Sequence, residues 1–260
     1  MAEAPWEPRC ACMAQAIAST DVRPSFRPSF FFWMTVVMAF FIFSGFGLTY
    51  WIPMALGSLA PLPPVVHLHG LLFFGWIVLL VTQSALINLR NVPLHRSLGT
   101  VGIGIGTGVL LVGTLITVLS VRASATAPSP DNNNLTYLSV TAIVSFAVLF
   151  VLAIRDVRKP DNHKRLILFA TINLLPPGVN RLYMVSLGLT QLPLLATYLT
   201  LDVLAIAILI HDGRTIGKLS AASLIGAAFV FVPQLLQPLI VDSAAFASLS
   251  TMLAELAHYR

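Results

Sequence analysis

Apolar residues fall in seven long blocks along this chain, covering 30–52, 65–89, 98–121, 136–154, 165–187, 193–211 and 222–241. Between the blocks lie short loops that hold most of the charge. A helix rises ~1.5 Å per residue, so ~20 apolar residues cross the ~30 Å hydrocarbon layer of a bilayer. A helix also satisfies its own backbone, which lipid cannot do. The pattern therefore predicts an all-α fold, a polytopic bundle of seven transmembrane helices.

The placement of positive charge predicts its orientation. All Lys and Arg except Arg122, Arg181 and Arg260 lie in the N-terminal tail or in the segments joining alternate helices. Arg90 and Arg96 flank one such loop; Arg155, Arg158, Lys159, Lys164 and Arg165 mark the next; Arg214 and Lys218 mark the third. Cytoplasmic loops carry the Lys/Arg excess, so the N-terminus is expected inside and the C-terminus outside. The expected organisation is a flexible cytoplasmic tail over 1–29, a membrane domain over 30–241 and a short outer segment over 242–260. The first block begins too late and runs too long for a cleavable leader. It is expected to stay as a membrane helix, in a bacterial inner membrane.

Composition narrows the function classes. The 260 residues are 57% hydrophobic and 10% charged, against about 25% charged in soluble domains. The net charge of +5 follows topology, so no nucleic-acid partner is expected. Rhodopsins and G-protein-coupled receptors place the N-terminus outside, the reverse of this chain. Lys159, Lys164 and Lys218 all fall in loops, so no retinal is expected. Gly99, Gly102, Gly104, Gly106 and Gly108 open the third helix with overlapping G-x-x-x-G spacings, which suit close helix packing. Without a preceding strand they make no phosphate loop, so no nucleotide is expected. Cys10 and Cys12 read as unremarkable tail thiols.

Ionisable and polar groups inside a membrane are costly, so the few present are the functional candidates. On the second helix, heptad steps from His69 reach Trp76, Gln83 and Arg90, which turns His69 inward and leaves His67 off that stripe. On the fifth, Pro176 and Pro177 remove backbone donors and predict a kink beside Asn173, Asn180 and Arg181. Asp202, near the centre of the sixth helix, lies at a depth that suits a salt bridge to Arg181, with Tyr198 one turn away. A second cluster is expected at the inner face. There His95, His163 and His211, followed by Asp212, come from three helices at one depth. Imidazoles so placed point to a transition metal or a haem; basic helix ends also suit anionic lipid headgroups. His95 and His163 each sit in an R-x4-H-[R/K]-x-L pattern, a short internal echo between two loops.

The motifs V-H-L-H-G at 66–70, H-R-S-L-G at 95–99, H-K-R-L at 163–166, Asn180-Arg181-Leu182, Asp202 and Gln237-Pro238-Leu239 together resemble a broad family of uncharacterised bacterial seven-helix membrane proteins. The resemblance covers most of the chain after residue 30 and implies fold and localisation. The second half is also faintly similar to small membrane proteins of cytochrome oxidase assembly, in which H-K-[R/K]-L opens a helix. That likeness implies haem or respiratory metal chemistry. The chain departs from the family pattern after the sixth helix, where Gly217-Lys218-Leu219-Ser220 lacks a histidine. Three functions are in view: a haem- or metal-binding protein in redox chemistry or respiratory enzyme assembly; a proton-coupled or small-molecule transporter centred on Arg181 and Asp202; and an accessory subunit of a larger membrane complex or homo-oligomer. No nucleophile–base pair or hydrolase motif points to a specific enzyme activity.

Overall fold

A computed structural model describes residues 28–126 and 131–256. Most of the predicted tail, with Cys10 and Cys12, lies outside the described residues. Those that are described form helices joined by short turns. α1 (Phe30–Phe46) runs on through a π turn (Gly47–Trp51) into a final turn at Ile52–Ala55. It is followed by α2 (Pro64–Asn88), α3 (Val92–Thr126), α4 (Asn132–Arg155), α5 (Pro160–Ile172), α6 (Pro176–Leu187), α7 (Leu194–Ile216), α8 (Ala221–Ile240) and α9 (Ala244–Leu256). Among the described residues 6 helices are long and apolar enough to cross a membrane: α1 with its continuation, α2, α3, α4, α7 and α8. Their outer faces carry Leu71, Leu111, Leu195, Leu235 and Leu239, all exposed. Large apolar side chains on the outside are what lipid, not water, accommodates.

The predicted helix 165–187 is two helices. Pro176 and Pro177 bring no N–H to the ladder, so the backbone tightens before them, with Leu174 N bonding Thr171 O at 2.9 Å and Leu175 N bonding Ile172 O at 3.1 Å. The Asn173 amide caps the end of α5 by donating to Phe169 O at 2.9 Å. The broken pair is the core of the bundle. α5 packs against α1, α4, α7 and α8, and α6 packs against α1 and α7. Leu166, Phe169, Ala170, Ile172, Leu175 and Val179 are buried in consecutive turns on every side, as a helix surrounded by others must be. Around it, α1 to α4 pack in chain order and α8 bridges α4 and α7. The segment after 241 also departs from expectation, since α9 is a helix that packs on α3.

One end of the bundle gathers the basic loops. There Ser29 N donates to Asn88 Oδ1 at 2.8 Å, and His211 stacks on Phe30 at 4.1 Å. The central anchor is a buried ion pair: Arg165 Nε reaches both Asp212 carboxylate oxygens, at 2.9 and 3.0 Å, and Arg165 Nη2 reaches Oδ1 at 2.5 Å. The two side chains are 3% and 0% exposed. Ser223 Oγ, held at the start of α8 by the Ser220 cap, donates to Asp212 Oδ2 at 2.6 Å. The centre is thereby tied to α7 and α8 at once. Elsewhere small residues set the approach. A Cβ on Gly45 would overlap the Gly178 carbonyl, so α1 and α6 touch backbone to backbone there. Gly106 and Gly108 of α3 receive the Phe150 ring and Leu72, while Gly104 faces open space.

Gly45→Ala is expected to lower the thermal unfolding midpoint in detergent, at a cost of about 1–3 kcal/mol for overpacking. Gly75→Ala, where a Cβ meets nothing within 4 Å, should leave the midpoint in place. Asp212→Leu strands a buried guanidinium and should cost about 3–5 kcal/mol, whereas Arg165→Met with Asp212→Leu recovers much of that loss. Denaturation curves of the two proteins test this difference.

Candidate functional site

At the basic end, α2, α3, α4 and α5 line a half-open pocket of about 90 Å³. Trp76, Gln83, His95, Phe150 and His163 line it, together with aliphatic side chains. Each polar member arrives by a separate local rule. Gln83 stands two turns along α2 from Trp76, on the stripe read from the sequence. Trp76 is locked by its indole donating to Thr171 Oγ1 at 3.1 Å and by edge-to-face contact with Phe146 at 5.2 Å. His95 occupies the first turn of α3, which starts earlier than predicted. The reversal before it runs through Arg90 at φ 57°, and Asn91 Oδ1 caps Leu94 N at 3.2 Å. His163 sits in the first turn of α5, next to Asn162, whose Nδ2 donates back to Asp156 Oδ2 in the preceding loop at 2.8 Å. That hydrogen bond, then Lys159 and Arg155, holds the Asp156 carboxyl below the usual carboxylate range.

The imidazoles are poised differently. His163 Nδ1 lies 2.9 Å from Ala153 O, a helix-end carbonyl that can only accept. Nδ1 therefore carries a proton, which in the neutral ring leaves the lone pair on Nε2. Orientation of one ring nitrogen by a carbonyl is how proteins prepare the other as a ligand. His95 Nδ1 and Gln83 Oε1 are both buried without a hydrogen-bond partner. Buried polar atoms nearly always have partners, so two orphans beside one cavity mark a place for a ligand. The two histidines lie within electrostatic reach of each other.

His211 and Asp212 do not join this group. His211 stacks on Phe30 and meets Phe31 edge to face, and Asp212 is committed to Arg165. Equal depth in the sequence said nothing of which face of α7 meets which neighbour. Among the described residues no three of His, Cys, Asp and Glu converge as a metal-ligand group. The donor set at the cavity is two imidazoles and one amide. Pockets for drug-sized ligands run to about 300–1,000 Å³, so a haem does not fit between these helices as they stand; a single ion does.

The expected Arg181–Asp202 bridge is also absent. Arg181 turns back over the Phe46 ring, 4.5 Å from its centre, and donates to Pro177 O at 3.1 Å. Arg181 belongs to α6, a separate helix that starts at Pro176, so its direction does not follow from a continuous helix over 165–187. Asp202 instead lies beside Gln234, with Asp202 Oδ1 and Gln234 Nε2 both unbonded. Tyr198 donates to Gln237 Oε1, and Gln237 Nε2 donates to Asn134 Oδ1 at 2.9 Å. Asn180 accepts from Thr197 Oγ1. Of these groups Tyr198 and Gln234 line a small cleft at the helix break, together with Asn173, Pro176 and Pro233. His69, whose ring packs on Phe73 at 4.1 Å, belongs to neither site. Two features escaped the sequence reading, the Arg165–Asp212–Ser223 anchor and the Tyr137 hydroxyl on Pro233 O at 2.7 Å. Arg165 reads as a loop cation; its place at the very start of an apolar run, directly before Leu166-Ile167-Leu168, was the available signal. No protein-family model matches the chain, and no curated protein or solved structure matches it either.

Proposed function

We propose that this chain is a bacterial inner-membrane protein that holds one transition-metal ion between His95 and His163, in redox chemistry or respiratory enzyme assembly. α5 and α6 together supply the fifth of seven crossings, with the N-terminus inside and the C-terminus outside. Residues 160–187 would extend roughly 40 Å at helical rise, enough to cross. The observation that carries the metal reading is the convergence of His95, His163 and Gln83 on one ion-sized cavity, with buried donor atoms left unsatisfied. His163 Nε2 and His95 would be the ligands, Gln83 Oε1 a weaker third donor. Such an ion supplies electron transfer if it is copper, or polarisation of bound water if it is zinc. The protein's own part is to exclude water with Trp76 and Phe150 and to fix the His163 tautomer through Ala153 O.

A second reading rests on the interrupted central helix. Carriers place their sites at broken helices near the midplane. Here the break faces Asn173, Tyr198 and Gln234, beside the unbonded Asp202 oxygen. In that reading Asp202 carries the proton and the cleft passes a small polar solute.

Protein purified without chelators should carry near-stoichiometric copper or zinc by elemental analysis. His163→Ala should weaken retention about tenfold or more, while His211→Ala leaves it unchanged. A wild-type protein that stays metal-free after incubation with either ion rejects the site. For the second reading, proteoliposomes should dissipate an imposed pH gradient, and Asp202→Asn should slow that leak about tenfold. Wild-type vesicles as tight as empty ones would dispose of it.

A further inference from the structure

The end of the bundle opposite the basic loops holds a cation that has no counter-charge among the described residues. Arg181 makes its one hydrogen bond to a backbone carbonyl, and among the described residues no carboxylate lies within ion-pair distance of it. A guanidinium carries five N–H donors, so most of them remain unused on an exposed side chain. Membrane arginines are costly unless something answers the charge. The Phe46 face, at 4.5 Å, answers part of it.

The neighbours of Arg181 add polar ring nitrogens and a hydroxyl and, among the described residues, no carboxylate. His69 lies within electrostatic reach of it, with a buried Nδ1 that has no partner. α6 also packs against the π turn, Gly47–Trp51, which carries Tyr50. Tyr50 Oη lies 2.5 Å from His67 Nδ1. If the hydroxyl donates, His67 Nε2–H is left over; if the ring donates, the hydroxyl proton is left over. Either way the pair presents one free donor. π turns recur at functional sites because they shift side chains out of helical register, and this one turns Tyr50 toward α2. The backbone contact at Gly45 and Gly178 fixes α1 against α6 one residue before Phe46 and one turn before Arg181.

We propose that Arg181, His69 and the Tyr50–His67 pair bind a phosphate group, on a phospholipid headgroup or as the free ion. The planar guanidinium matches two phosphate oxygens at once, and Trp51 and Leu48, exposed on the same π turn as Tyr50, offer apolar surface that acyl chains would cover.

The test uses the full chain in nanodiscs of phosphatidylglycerol and phosphatidylcholine, with native mass spectrometry of the lipid retained, and a parallel titration with inorganic phosphate read by tryptophan fluorescence. Selective retention of phosphatidylglycerol, cut about tenfold by Arg181→Gln, assigns the site to a lipid. A saturable phosphate response without lipid preference, lost in the same variant, assigns it to the free ion. If Arg181→Gln does not fold, Arg181→Lys and His69→Phe serve in its place: both should weaken binding, Arg181→Lys the less because it keeps the charge. No lipid preference and no phosphate response in the wild type, or binding that these variants leave intact, overturns the proposal. Neither arm depends on a metal at His95 and His163.

Discussion

The arrangement hangs on one buried ion pair. Arg165 leaves the basic end, enters the bundle and finds Asp212 on α7, which also accepts from Ser223 on α8. Two charges removed from water cost several kcal/mol each unless their geometry is good and their remaining valences are filled. Here both carboxylate oxygens and three guanidinium contacts are used, and Asp161 O takes a further Nη1 hydrogen at 2.6 Å. A pair so satisfied permits few alternative registers between α5, α7 and α8. It selects one position for α5 along the bundle, and with it the place of His163 two residues earlier.

From that anchor the two candidate sites follow at different depths. At the basic end α5 presents His163 to the cavity that α2 and α3 complete with Gln83 and His95. Two turns deeper the Trp76 indole on Thr171 fastens α2 to the same helix, so the cavity has a rigid floor. Beyond Ile172 the prolines end the ladder, and the cleft beside Asn173 and Pro176 opens where backbone regularity is lost. Irregular backbone inside a membrane is tolerated only when buried in protein or against a polar cavity. The core position of the break meets the first condition, and the amide of Asn173 meets part of the second.

The far end is organised by a different economy. Its cation, Arg181, is held by an aromatic ring and a carbonyl, and the π turn of α1 carries the Tyr50–His67 hydrogen bond beside it. The two ends of α2 thus differ in kind: Gln83 lines the half-open pocket at the basic end, while His67 bonds Tyr50 and His69 packs on Phe73 at the other. His69 and Gln83 are separated by about 21 Å at helical rise, so the two sites are independent in their chemistry.

How much of this was legible is clear from particular residues. The apolar blocks announced helices at nearly every position where one occurs, because length and hydropathy are local properties of a sequence. The stripe of His69, Trp76 and Gln83 was likewise readable, since a heptad step keeps one helix face. Pro176 and Pro177 announced a disturbance, because a missing N–H is local too. Which helix meets which was not readable: nearly every helix is apolar all round, so no face declares its partner. That is why His211 was grouped with His95 and His163, and Arg181 with Asp202, on depth alone. Depth is written in residue number, but azimuth is decided by packing. Only the tertiary structure set His211 against Phe30, gave Asp212 to Arg165, and turned His95 and His163 toward one cavity.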